Sequence, residues 1–174
     1  MKTEYLLNRE IDLILDLLTP DNRLALRVAL HTGLRIGDVL SLRADRIGPN
    51  FWITEQKTGK RRQVGLPAQL LADCRANAAN GWVFPGRKPG THRTRQAVWK
   101  DMKRAAEAMR LPQNAAPHSA RKIYAVDLLQ RYGDIERVQR ALNHDNQTVT
   151  MIYAMADHQL RAKNRKRRTG RRTA

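Results

Sequence analysis

Four residues between Pro117 and Ala154 carry groups that could act on a phosphate diester. His118 and Arg121 are three apart, His144 follows, and Tyr153 comes nine residues after it. A phenol has an ordinary pKa of about 10, so it attacks only where cations or a base favour its phenolate. A guanidinium stays charged and offers fork-shaped donors to non-bridging oxygens. Imidazoles can carry protons near neutrality or donate hydrogen bonds. These groups predict attack by Tyr153 on a phosphorus held by Arg121 and the two histidines.

Tyr5, Tyr124 and Tyr132 are rivals for the nucleophile. Tyr124 shares a helical pattern with Arg121 but has apolar neighbours and reads as core, and Tyr132 stands at a helix end. His31, His92 and His158 read as ordinary structural or surface residues.

Two further cations sit in the first third of the chain. Arg35 lies among Leu34, Ile36, Val39 and Leu40, in TGLRIGDVLSLR. A guanidinium amid apolar neighbours needs an anionic partner. Asp38, three residues on, either forms a purely structural ion pair with it or steadies it while its outer N–H groups face a phosphate. Lys57 stands at a hairpin tip in QKTGKRR, where it is either a solvated charge or an ammonium able to reach into a site.

The elements that must position these groups are mostly helical. Residues 9–18 carry a broad apolar helical face with Asn8 as N-cap. TPDN makes a turn, residues 22–31 form a second helix stopped by Gly33, and Ile36 to Arg43 form a short third one. The period then changes. Asp45 to Ile47, Phe51 to Glu55 and Arg61 to Leu66 read as three short strands joined by turns. Pro67 opens a helix over about 67–79, and Trp82 to Pro85 form an apolar anchor or short strand. A basic, Gly- and Pro-broken loop precedes a helix from Thr94 to Met109, in which Trp99 reads as core. Helices follow over 117–132, ended by Gly133, and over IERVQRALN, capped by Asp134 and closed by Asn143. A last helix over about 147–160 carries Tyr153. His118 and Arg121 share one face near a helix N-terminus, which favours an anion there. The fold class is mainly α with a small three-stranded antiparallel β-sheet (α+β).

Composition narrows the partner. The 174 residues carry a net charge of +17. After Leu160 the chain reads RAKNRKRRTGRRTA, with eight basic residues and no acid, and removing those eight leaves +9 on the first 160 residues. A basic body as well as a basic tail points to a polyanion, namely nucleic acid. The single Cys74 excludes a disulfide framework and a thiolate-rich zinc site, and its alanine-rich surroundings make it a small buried hydrophobe. No apolar run reaches about 18 residues and the N-terminus lacks a signal-peptide pattern, so a cytoplasmic setting is expected. No acidic cluster suited to a metal is visible.

Taken in order, these boxes resemble the tyrosine recombinase or phage integrase family over about residues 7–156. The resemblance places a first catalytic arginine on Arg35 with an acidic helper at Asp38, a β-hairpin lysine on Lys57, and a His-x-x-Arg box on His118 and Arg121. It places a second histidine on His144 and the nucleophile on Tyr153. Asn143 stands where that family usually has Gly, and Lys122 where it often has His. The resemblance implies a recombinase catalytic domain over residues 1–160, followed by a basic tail over 161–174; members of that family usually carry an N-terminal core-binding domain, and its absence here is read as a departure from the family pattern. It implies a 3′-phosphotyrosine intermediate without metal or other cofactor. Lys57 would be the acid for the leaving 5′-oxygen, His118 a base or proton carrier, and His144 a phosphate hydrogen-bond donor. It also implies double-stranded DNA as substrate, a free monomer, and four protomers on paired sites. Lys60, Arg61, Arg87, Lys88, Arg93, Arg95 and Lys122 are further candidates for DNA contact. The same boxes would serve a type IB topoisomerase-like or telomere-resolving enzyme, or a non-catalytic DNA-binding regulator.

The tail should add affinity without sequence choice, through counterion release. Deleting residues 161–174 is expected to lower the slope of log affinity against log salt by about 0.9 for each tail cation seated on a phosphate. Fluorescence anisotropy over a salt series measures it, and an unchanged slope refutes the role.

Overall fold

The second helix, α2 (Pro20–Thr32), touches α1 (Asn8–Leu17), α3 (Ile36–Leu40), α4 (Ala68–Asn77) and α5 (Arg95–Ala108). Its buried residues include Leu24, Ala25, Leu26, Val28 and Ala29, an apolar surface far wider than one stripe. In the computed structural model, residues 6–142 are described. They fall into two units by packing, one ending at Tyr124 and one beginning at Ala125, with the division inside α6 (His118–Tyr132).

In the first unit, α1 starts at Asn8 rather than after it. Leu7 takes the N-cap position, and the Glu10 carboxylate reaches back to accept from the Leu7 N–H at 2.7 Å. Pro20 occupies the first position of α2, where a missing N–H costs nothing. Thr94 caps α5 by accepting from the Ala97 N–H. Val98, Met102, Ala105 and Ala106 form the inner stripe of α5. Trp99 is 45% exposed, against the expectation that it is core. It sits at the margin of that stripe, about 100° from Val98 around the helix, and Lys103 lies over its ring. Cys74 is fully buried as expected, and burial pushes its thiol up to about 11.

The sheet has two strands among the described residues, not three. β1 (Asn50–Thr54) pairs antiparallel with β2 (Arg61–Gly65), in the register Asn50↔Gly65 to Thr54↔Arg61. Asp45 to Ile47 lie in a turn, with the Arg46 N–H donating to the Arg43 carbonyl. The backbone just before this turn is committed elsewhere: Arg43 bridges to Trp82, and the Ala44 N–H donates to the Gly81 carbonyl. Only Ile47 of the three is buried, so they have no alternating apolar face to offer a sheet. Val83 and Phe84 are buried beside that bridge and anchor the loop into the core.

One carboxylate ties the α1–α2 corner to α5. Asp101, 8% exposed, accepts from the Thr19 N–H and hydroxyl (both 2.9 Å), from Asn22 Nδ2 (2.7 Å), and from Arg104. Asn22 in turn accepts from Arg93 Nε, whose Nη1 pairs with Asp21 at 2.6 Å.

The second unit, as described, holds the end of α6 and α7 (Ile135–Leu142). Gly133 takes φ +66° and its N–H closes α6 on the Leu129 carbonyl. Asp134 Oδ1 then accepts from the Glu136 and Arg137 N–H groups, the expected cap of α7. No helix among the described residues is long and apolar enough to cross a membrane.

Burial pushes the Asp101 carboxyl up, but donors from Asn22, Arg104 and Thr19 outweigh it and hold its pKa down at about 2. A carboxyl depressed from 3.8 contributes stability above the unfolded value and loses it as pH falls through the folded one. Between pH 5 and 2 the parent should therefore lose about 2 kcal/mol that Asp101→Asn never had. Urea unfolding of both proteins across that window checks it, and parallel losses refute it.

Candidate active site

The site begins where α2 ends. Gly33 adopts φ +66° and its N–H closes the helix on the Ala29 carbonyl. This turns the chain so that Leu34 is buried and Arg35 precedes α3 in an extended conformation. The carbonyls at this end carry the negative pole of the α2 dipole. Two guanidinium groups use them. Arg121 Nη1 donates to the Gly33 carbonyl at 2.6 Å, and Arg62 donates to the Thr32 carbonyl.

Arg35 does not pair with Asp38. Its Nη1 lies 2.6 Å from Oε2 of Glu55, a residue that is 0% exposed. A side-chain pair three apart needs both residues on a helical surface, and the extended backbone of Arg35 takes it off that surface. Asp38 is buried instead, with its Oδ1 accepting from the Gln56 N–H at 2.9 Å. Thr58 Oγ1 donates to Glu55 Oε2 at 3.0 Å. The hairpin tip is thus fastened on both sides of Lys57, at Gln56 by Asp38 and at Thr58 by Glu55. The Lys57 side chain itself is exposed.

Electrostatics follow from this arrangement. Burial pushes the Glu55 carboxyl up, but the bonds from Arg35 and Thr58 and the nearby positive charge leave it below the usual range. Burial raises Asp38, partly offset by the Gln56 N–H. Arg121 is 2% exposed; burial, then the like charges of Arg35 and Arg62, lower it to about 10. It remains a cation at neutral pH.

One cleft of about 420 Å³ is lined by Arg35, Asp38, Gln56, Lys57, His118 and Arg121, with Leu34 to Gly37, Pro117 and Arg95. Six of the residues singled out from sequence therefore share one surface: Arg35, Asp38, Lys57, Arg95, His118 and Arg121. His118 is exposed at the first position of α6. His144 and Tyr153 lie outside the described residues. The arrangement offers several positive groups to a doubly coordinated oxyanion, and a lysine and histidine able to move protons. Among the described residues no group of three or more His, Cys, Asp or Glu side chains gathers to hold a metal ion.

The outlying basic residues separate. Lys60, Arg61, Arg87 and Lys88 are exposed, while Lys122 is half-buried. Arg93 is committed to Asp21 and Asn22, so its guanidinium serves the α2 N-terminus rather than an open surface. Arg95 lines the cleft itself. Glu55 was not singled out from sequence, although a signal for it existed. Phe51 and Ile53 alternate along β1, and Glu55, one residue past its end, continues their phase, so a period of two points to an inward carboxylate.

Residues 4–159 match the phage integrase family model. The chain belongs to the phage integrase family. It is 32% identical to the integrase of Escherichia phage P2 over 155 residues, covering 88% of this chain and 43% of that protein. It is 30% identical to tyrosine recombinase XerD of Mycobacterium tuberculosis over 159 residues, covering 83% and 51%. The chain thus spans about half the length of these curated relatives. Among solved structures, the catalytic domain of bacteriophage HP1 integrase matches at a TM-score of 0.65 and 20% identity, over 94% of this chain and 95% of that one. A lambda integrase fragment, a dimer bound to a COC′ core site, matches at 0.69 and 18%, over 90% and 60%. At these identities the match is one of fold, and it is the tyrosine recombinase catalytic-domain fold.

The Gly33 corner makes a sharp prediction. A Cβ there would lie 2.3 Å from Tyr124 Cδ1, on a backbone at φ +66°. Gly33→Ala should destabilise the chain by at least about 2 kcal/mol, through left-handed strain and displacement of the ring. Denaturant unfolding measures the loss, and a variant within about 0.5 kcal/mol of the parent refutes it.

Proposed function

We propose that this chain cleaves and rejoins DNA strands as the catalytic part of a site-specific recombinase or integrase. The carrying observation is the single cleft shared by Arg35, Lys57, His118 and Arg121. Phosphoryl transfer asks mainly for positioning and for neutralisation of charge around phosphorus, and guanidinium groups pre-placed by buried bonds suit that demand. Double-stranded DNA is the substrate, in keeping with the basic body of the chain and with the core-site DNA bound by the lambda integrase fragment.

In the proposed step the Tyr153 phenolate attacks the scissile phosphorus. A new P–O bond forms to the tyrosine and the bond from phosphorus to the 5′-oxygen breaks. Arg35 and Arg121 bind the non-bridging oxygens, and His144 donates to one of them. His118 takes the phenolic proton, and Lys57 protonates the departing 5′-oxygen. The phosphodiester energy stays in the 3′-phosphotyrosine, so a 5′-hydroxyl of another strand reverses the step. Strand exchange then needs two duplexes and four protomers, assembled from monomers on DNA. Asp38 supports the reaction through the hairpin rather than through Arg35.

A substrate nicked beside the cleavage site loses its 5′-hydroxyl fragment and traps the covalent adduct. The parent should accumulate adduct on denaturing gels, Tyr153→Phe should give none, and Arg35→Ala or Arg121→Ala should slow it by about 10²–10³-fold. Equal trapping by Tyr153→Phe and the parent removes Tyr153 as nucleophile.

A further inference from the structure

We propose that Glu55 is a positioning residue for strand cleavage, locking the Arg35 guanidinium and the turn that carries Lys57 into one unit. This rests on the roles proposed above for Arg35 and Lys57.

One oxygen does both jobs. Glu55 Oε2 accepts from Arg35 Nη1 at 2.6 Å and from Thr58 Oγ1 at 3.0 Å. The backbone of the same residue frames the turn: its N–H donates to the Lys60 carbonyl at 3.0 Å, and its carbonyl accepts from the Gly59 N–H at 2.9 Å. A shift of the turn, or a rotation of Arg35, therefore breaks bonds to the same atom. Lys57 lies between the two fastened positions, so its ammonium is free to swing while its Cα is held. The group that would neutralise the non-bridging oxygens and the group that would protonate the leaving oxygen are thereby set at a fixed spacing.

The carboxylate is poorly explained as a stability device. Its side chain is 0% exposed, and among the described residues Oε1 has no hydrogen-bond partner, with Arg62 Nη1 3.8 Å away. A buried carboxylate with an unsatisfied oxygen is costly, and an apolar residue at this position just past β1 would avoid the cost. What an apolar residue could not do is orient Arg35 and offset the mutual repulsion of Arg35, Arg62 and Arg121 before an anion arrives. Arg35 remains 19% exposed and lines the cleft, so its pairing with Glu55 fixes it without withdrawing it from the surface.

Glu55→Gln keeps the shape and removes the charge. Adduct formation on the nicked substrate should fall about 10–100-fold, with the Kd for DNA within about threefold of the parent. The deciding comparison uses a substrate in which a methyl group replaces one non-bridging oxygen of the scissile phosphate. That centre is neutral and needs less from a guanidinium. The Gln amide oxygen can still accept from Thr58, so the Glu55→Gln defect acts through Arg35 and should shrink on this substrate to within about threefold, as should that of Arg35→Ala, while that of Lys57→Ala persists. Parental cleavage by Glu55→Gln, or an equal defect on both substrates, overturns the proposal. If Glu55→Gln does not fold, Thr58→Ala at the exposed turn decides: about a threefold slower adduct supports the link, and a parental rate overturns it. A parent chain that forms no adduct removes the recombinase reading and this inference with it. A parent that does, beside an unaffected Glu55→Gln, overturns the inference alone.

Discussion

Like charges must be held together before any substrate arrives: that is the constraint on which this structure turns. Arg35, Arg62 and Arg121 converge near the end of α2, and burial makes the Arg62 and Arg121 charges harder to keep. The protein answers with two kinds of counter-charge. One is the dipole end of α2, whose last carbonyls accept from Arg62 and Arg121. The other is the Glu55 carboxylate, placed between Arg35 and Arg62. Neither kind consumes the cleft side of Arg35 or hides Lys57. The result is a cationic surface fixed from behind, leaving room in front for a phosphate to complete the charge balance.

Such an arrangement needs α2 itself to be immobile. Its N-terminal end is held by Asp101 and Arg93, which bind Thr19, Asp21 and Asn22 from the α5 side. Its length is buried against α1, α3, α4 and α5. Gly33 then ends the helix in a left-handed turn that no side chain could occupy without meeting Tyr124. The sharpness of that turn gives Arg121 a carbonyl and gives Arg35 its extended backbone. Packing along α2 and placement of the cleft cations are therefore one structural fact seen from two ends.

Much of this was legible in the chain. Gly33, Gly133 and Asp134 end or cap helices because local backbone chemistry decides such positions. The stripe on α5 was readable from its period, and Trp99 was misread because it stands at the margin of that stripe, where a large ring stays partly exposed. The third strand failed for a different reason. Asp45 to Ile47 has strand-like neighbours, but the backbone next to it bonds to Gly81 and Trp82, which lie far along the chain.

The candidate site divides along the same line. By itself, the sequence determined which groups are available and in what order: arginines, a hairpin lysine, histidines and a tyrosine; among the described ones, Arg35, Lys57 and His118 stand at helix ends or a turn that local rules locate. Which acid serves which cation was decided by tertiary structure alone. Asp38 is nearer to Arg35 in sequence, yet Glu55, 20 residues away, is its partner, and the Gly33 carbonyl that holds Arg121 is 88 residues distant. A charge finds its counter-charge through space, and those distances exist only after α2 has packed and the hairpin has turned back against its end.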